Sequence, residues 1–159
     1  MKELRASASA TVSATPEACT QLLAAVDRYP SWYPDVIRDA QVLERAADGT
    51  ALRVRAVVHL ALGPIAHDLA LVLAVAVERG RRVTLSRVPH EPSDEERFEL
   101  AWHVDGGPPT RLRLELSAQV EVPRLLPVGG IGGPFAQAFV DAASRALDGS
   151  SPNASASSS

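Results

Sequence analysis

Between residues 38 and 121 the chain alternates apolar and polar positions over most of its length, and that period of two constrains the fold more than any other feature. Leu52, Val54, Ala56, Val58 and Leu60 alternate with Arg53 and Arg55, while Leu112, Leu114, Leu116, Ala118 and Val120 alternate with Arg111, Arg113, Glu115 and Ser117. Successive side chains of a strand point to opposite faces, so the pattern describes a sheet with one apolar face and one wet face. Asp48-Gly49, Gly80 and Asp105-Gly106-Gly107-Pro108-Pro109 separate the runs and have the chemistry of hairpin turns. Six strands follow, at about 38–47, 51–60, 66–78, 81–88, 95–104 and 110–121, and their short links make an antiparallel meander. The stretch at 66–78 departs from clean alternation, with Leu69, Leu71, Leu73, Val75 and Val77 large and Ala70, Ala74 and Ala76 small. Both of its faces are expected to be partly covered, or one to lie on a second subunit, which keeps a homodimer among the alternatives.

The flanks supply a further strand and the helices. Residues 6–14 alternate small and β-tolerant side chains around Val12 and read as a first strand. Thr15-Pro16-Glu17 then starts a helix, with a hydroxyl cap, proline at the first helical position and an acid near the positive end of the dipole. Cys19, Leu22, Leu23 and Val26 form its buried stripe, and Cys19 reads as a small core residue rather than a nucleophile. Next comes Tyr29-Pro30-Ser31-Trp32-Tyr33-Pro34, whose prolines permit only a short helical turn. Three of the chain's seven aromatic residues stand there, either as a lid against an apolar space or as a plain core anchor. Near the other end, Gly129-Gly130-Ile131-Gly132-Gly133 reads as a hinge-capable loop, since glycine widens the allowed backbone space. A helix is predicted from Pro134 to about Leu147, with Phe135, Phe139, Ala142, Ala143 and Ala146 on one stripe and Gly149 ending it. Residues 2–148 are therefore read as one domain, and the Ser-rich stretch 149–159 as a disordered tail.

Composition removes several classes of function. A net charge of −3 offers no basic field for nucleic acid, and the cluster of Arg79, Arg81 and Arg82 reads as a solvated turn. One cysteine excludes an intrachain disulfide and a cysteine-based zinc site. The apolar run at 69–77 is far shorter than the roughly 20 residues a membrane-spanning helix needs, so no transmembrane segment and a cytoplasmic location are expected. The glycine run before the last helix lacks the context of a phosphate loop, and no histidine spacing suits a metal. No catalytic residue, metal or cofactor is assigned.

Face parity selects the polar candidates. With Leu69, Leu71 and Leu73 on the apolar face, His67 shares their direction; with Val83 and Leu85 inward, so does Arg87. Either would meet a ligand carbonyl or carboxylate, or else lie at the sheet rim in solvent. His59 and His103 fall on the outward parity, and His90 lies in the loop at 89–92.

The order of elements, together with Tyr29-Pro30-Ser31-Trp32-Tyr33-Pro34-Asp35-Val36 and the spaced Phe98, Leu100 and Trp102 before Thr110, resembles the START-like (SRPBCC) superfamily of polyketide cyclases/dehydrases and lipid-transport proteins. The coenzyme-Q-binding and ribosome-association toxin-like branch is the nearest part of it. The resemblance implies an α+β helix-grip fold, in which a seven-stranded curved antiparallel sheet wraps a long C-terminal helix and two short helices follow the first strand. It also implies a cavity between sheet and helix, and a slim, partly alanine helix would leave apolar space there for a ligand. The wall of that cavity would draw on Trp32 and Tyr33, on Val54, Ala56 and Val58, and on Leu71, Leu73 and Leu85. Phe98, Leu100 and Trp102, then Leu114 and Leu116, and finally Phe135 and Phe139 would complete it, with Arg87 or His67 as the polar handle. The function expected is binding or transport of a hydrophobic small molecule such as a lipid, quinone or polyketide. A polyketide aromatase/cyclase-like enzyme and a ribosome- or protein-interaction module are the alternatives.

Overall fold

The computed structural model describes residues 2–62, 65–107, 109–120 and 132–149. Seven strands pair into one antiparallel sheet: β1 (Lys2–Val12), β2 (Ile37–Arg45), β3 (Ala51–Leu62), β4 (Ile65–Glu78), β5 (Arg82–Arg87), β6 (Arg97–Gly106) and β7 (Thr110–Val120). The spatial order is β1-β7-β6-β5-β4-β3-β2. Strands β2 to β7 thus form the expected meander, and β1 adds to its far side by pairing with β7. That first strand begins at Lys2, not at residue 6, because Leu4 and Ala6 continue the alternation opposite Ala118 and Leu116.

The connection to the sheet starts as its sequence demands. Thr15 caps α1 (Pro16–Ala24), its hydroxyl accepting from Ala18 N at 3.2 Å. Cys19, Leu23 and Val26 are buried along one stripe. A 3-10 turn (Val26–Arg28) and a single turn of helix, α2 (Tyr29–Trp32), lead into β2. The β6–β7 turn is fastened to the start of α1: Thr110 donates its hydroxyl to Ala14 O at 2.6 Å, and Gly107, at φ +127°, lies where a Cβ would stand 2.7 Å from Pro16 Cδ.

The last helix, α3 (Gly132–Gly149), begins two residues before Pro134. Ala136, Phe139, Val140, Ala142, Ala143 and Leu147 are its buried residues, with Gln137, Asp141 and Arg145 exposed on the other side. It packs mainly on β1. Gly132 makes that approach possible, since a Cβ there would stand 2.9 Å from Ala6 Cβ and 3.2 Å from Leu4 Cδ1. Gly132 is therefore a close-packing residue rather than part of a hinge; Gly129 and Gly130 lie outside the described residues, as do residues 150–159, where a disordered tail was expected.

Two expectations about the sheet change. Leu52 does not continue the apolar face: Ala51 is buried instead, and Leu52 is 36% exposed. The cause is a pair of compensating bulges. Arg45 faces Ala51 while Glu44 faces Arg53, which leaves Leu52 as the extra residue on β3; Val42 faces Val54, which leaves Leu43 extra on β2. Both leucines turn outward. On β4, Ala70 and Ala76 are exposed and Val72 and Ala74 half-buried, so the small-residue face has partial cover only near its middle.

Candidate functional site

The cross-strand register sorts the inner face of the sheet into rows. One row sets Leu114 opposite Trp102 and Trp102 opposite Val83, and all three are completely buried. The next sets Leu116, Leu100, Leu85 and Val75 side by side, none more than 7% exposed. The third sets Ala118 opposite Phe98, and then Arg87, Leu73, Val54 and Val42 in succession. Leu71, Ala56 and Ala40 make a fourth. Burial loosens along this series. Phe98, Val42, Leu71 and Ala40 are only partly buried, although Leu73, Val54 and Ala56 between them are sealed. Val58 and Ile37, opposite one another beyond the fourth row, are buried as well.

The tight end is sealed by rings. Phe139 of α3 is the centre, 4.8 Å from Tyr33, 5.3 Å from Trp102, 5.9 Å from Tyr29 and from Trp32, and 6.0 Å from Phe135. Trp102 and Phe135 both meet it edge-on, the arrangement the ring quadrupoles favour. Six of the chain's seven aromatic residues thus form one cluster, and beside Trp102 and Phe139 it is ring against ring rather than an open gap. Tyr29 and Tyr33 are buried core anchors. Burial pushes both phenols above their ordinary pKa, and Tyr29 donates its hydroxyl to Leu23 O at 2.6 Å. Trp32 stacks on Tyr33 and stays partly buried. Phe135, at the start of α3, is partly buried too.

Two indole N–H groups in this region have neither solvent nor a hydrogen-bond acceptor, those of Trp32 and Trp102. The Trp102 group lies close enough to the Tyr29 hydroxyl to oppose, weakly, the effect of burial on that phenol, yet it falls short of hydrogen-bond geometry. Indole is a donor only, so what each lacks is an acceptor.

The charged candidates are placed very differently from one another. Arg87 has the inward parity expected, but its guanidinium is engaged: Nη2 donates to Asp94 Oδ2 at 2.6 Å and Nη1 to Glu96 O at 2.9 Å. Asp94 also accepts from the backbone N–H groups of His90 and Glu96. The bond from Arg87, with those backbone donors, holds the Asp94 carboxyl down to about 2. His67 is exposed near the β3–β4 turn. His59 pairs with Asp68 at 2.6 Å and His103 lies 3.7 Å from Glu115, both by outward-pointing residues of the sheet. Cys19 is fully buried, and burial, then the charges of Asp148 and Glu17, push its thiol up to about 11, which leaves it an inert core group. Among the described residues no group of three or more His, Cys, Asp or Glu could hold a metal ion.

Depressions lie on the outer surfaces and in the turns and loops. A groove of about 540 Å³ runs between α1 and the β2–β3 turn and carries Glu17, Asp27, Asp48, Arg45 and Arg79 along with the exposed edge of Val77. Its lining mixes these charged groups with Ala24, Ala25, Ala51 and Val77.

Asp94, Val42 and Ala40 were not singled out from the sequence. For Asp94 a signal existed: an arginine on the apolar parity needs a counter-charge, and the acid-rich loop after β5 is the nearest supply. For Val42 and Ala40 the bulges of β2 hide the parity.

The comparisons agree with this architecture. The family model described as "Polyketide cyclase / dehydrase and lipid transport" matches residues 12–148. No curated protein matches the chain in sequence. Among solved structures, a START superfamily protein from Mycobacterium smegmatis is similar over 91% of this chain and 94% of its own, at 21% identity and a TM-score of 0.62. A protein of Thermus thermophilus is similar over 98% of this chain and 100% of its own, at 19% identity and a TM-score of 0.63. The di-domain ARO/CYC StfQ of the steffimycin biosynthetic pathway is similar over 92% of this chain and 51% of its own, at 10% identity and a TM-score of 0.62. At such identities the likeness is one of fold, the START-like helix-grip arrangement of a curved seven-stranded antiparallel sheet with a long C-terminal helix.

Proposed function

Because the chain belongs to the polyketide cyclase/dehydrase and lipid transport family, we propose that it binds a hydrophobic small molecule at the looser end of its inner sheet face. One observation carries the reading. The same apolar face that is sealed at Leu114, Trp102 and Val83 is only partly covered at Phe98, Leu71, Val42 and Ala40. Partly covered large apolar side chains that converge on a concave surface favour an apolar occupant, because each contact removes further area from water. The ligand is a lipid, quinone or polyketide in the sense of size and polarity, and its reservoir is taken to be cytoplasmic. Among the described residues no helix is long and apolar enough to cross a membrane.

Catalysis of the aromatase/cyclase kind has less support. It would call on His67 or Arg87, and the first is exposed while the second is committed to Asp94 and Glu96. The binding reading is tested by organic extraction and mass spectrometry of the purified protein, with displacement of a hydrophobic fluorescent dye as a second measurement. A stoichiometric apolar compound in the extract, and dye binding that Phe98→Asp abolishes, are expected. An empty extract with no dye bound overturns the reading.

A further inference from the structure

We propose that the outer face of the sheet carries a phosphoryl-binding site beside the β4–β5 turn, where Arg81, Arg82 and Arg113 border one depression. It lies on the opposite face from the apolar rows and does not depend on the ligand proposed for them. The structure divides the arginines that stand together in the sequence. Arg79 lines the groove beside α1, which also carries Asp48. Arg81 and Arg82 border a separate depression of about 400 Å³, where His103 of β6 and Arg113 of β7 join them. The register is the reason: Arg82 stands opposite His103 and His103 opposite Arg113, which makes one outward row of three basic residues.

Like charges side by side on a sheet are unfavourable unless something offsets them. The offset present is incomplete. Arg82 Nε is 2.9 Å from Glu78 Oε2, while Glu115 is divided between Arg113 at 3.2 Å and His103 at 3.7 Å. His103 Nε2 has neither solvent nor a hydrogen bond. Arg81 has no ion partner among the described residues. Its backbone is nevertheless fixed, the N–H donating to Glu78 O at 2.9 Å and the carbonyl accepting from Val104 N at 2.8 Å. The acids on the rim are Glu78 and Asp105, and Asp105 stands opposite Arg111 in the ladder. Three arginines thus face two carboxylates. Elsewhere the balance is different: Arg5 and Arg113 meet Glu99 and Glu115 on the outer face of β1, β7 and β6, and Arg45 and Arg79 meet three carboxylates beside α1. Around Asp94, Arg87 and His90 meet four. Of these four depressions only the one at Arg81 has a cationic surplus, on a chain whose net charge is −3. A carboxylate has two acceptor oxygens and suits one guanidinium fork; a phosphoryl group has three and carries close to two charges. Arginines rooted at three places, the turn, β5 and β7, therefore fit the phosphoryl group better.

The test titrates inorganic phosphate into the full chain at constant ionic strength, with acetate as the control, and follows proton–nitrogen correlation spectra. Saturable shifts of the Gly80, Arg81, Arg82 and Gly106 amides are expected with phosphate and not with acetate. Arg81→Ala should weaken phosphate binding about tenfold, the scale of one charge-assisted contact. Glu78→Gln should tighten it about threefold, since Arg82 loses its competing carboxylate. Both variants should bind a hydrophobic dye as the unaltered protein does. Sedimentation with phosphatidylcholine vesicles containing phosphatidic acid separates the sources of the group. Retention that Arg81→Ala abolishes assigns it to a lipid head, and phosphate binding without retention assigns it to free phosphate or a soluble ester. Equal responses to phosphate and acetate, or phosphate binding unchanged in Arg81→Ala, overturn the proposal while the apolar site on the other face stands.

Discussion

The two ends of the inner sheet face are built from the same alternation yet differ in what the chain puts against them. At the sealed end, Trp102 meets Phe139, which Tyr29 and Tyr33 also meet, so rings close over rings. At the loose end the row holds Phe98, an arginine and several small or branched side chains, and its cover is partial. Period-two patterning is thus silent about which stretch of a face is core and which is surface for a ligand; the opposing side chains decide it.

The contrast can be broken at its strongest point first. Trp102→Ala should cost about 3–5 kcal/mol of unfolding free energy, because a large ring vanishes from a packed cluster. Phe98→Ala should cost roughly 1–2 kcal/mol, since a half-covered ring forfeits only part of its transfer energy. Denaturant melts of the two variants measure the gap, and equal losses would erase the distinction between the ends. Gly132→Val comes next, at about 1–3 kcal/mol, as the added methyl groups press α3 away from Ala6 and Leu4.

Asp94 gives a pH-dependent arm. Its pKa in the folded chain is about 2, below the roughly 3.9 of an unfolded aspartate, so its stabilising share is complete above about pH 4 and is lost as pH falls from 4 towards 2. Asp94→Asn should melt below the unaltered protein at neutral pH, with the difference closing in acid. A constant difference across that window would mean that the carboxylate charge is not what holds the loop. The smallest effect belongs to Leu52→Ser, within about 0.5 kcal/mol, because the bulge has already turned that side chain to solvent.

Much of this was legible in the sequence. The hairpin turns at Asp48-Gly49, Gly80 and Gly106-Gly107 fall where glycine at positive φ is needed, and the cap at Thr15 was spelled out by its neighbours. In α3 the spacing picked out Phe139, Ala142 and Ala143, which are buried, but Phe135 and Ala146 are half-buried and Ala136, Val140 and Leu147 complete the buried side. What could not be read was any feature that depends on two distant strands at once. Leu52 looks inward by counting along β3 alone; only the slip of β2 against β3 reverses it. Gly132 looks like slack in a glycine run until Ala6 and Leu4 are set against it. Arg87 could be given a direction but not a partner, because Asp94 lies in a loop with no period to follow.

The union of β1 with β7 has a consequence for how the chain is made. Lys2 faces Val120 and Val12 faces Thr110, so the first strand synthesised waits for the last strand before either side of that ladder exists. Contacts of such long sequence separation slow folding and keep unpaired strand edges available meanwhile. During translation β1 must therefore remain unclaimed, or be sheltered, until β7 has left the ribosome. Truncation before residue 110 leaves it without its natural mate, a ready substrate for proteolysis or for pairing with a stranger.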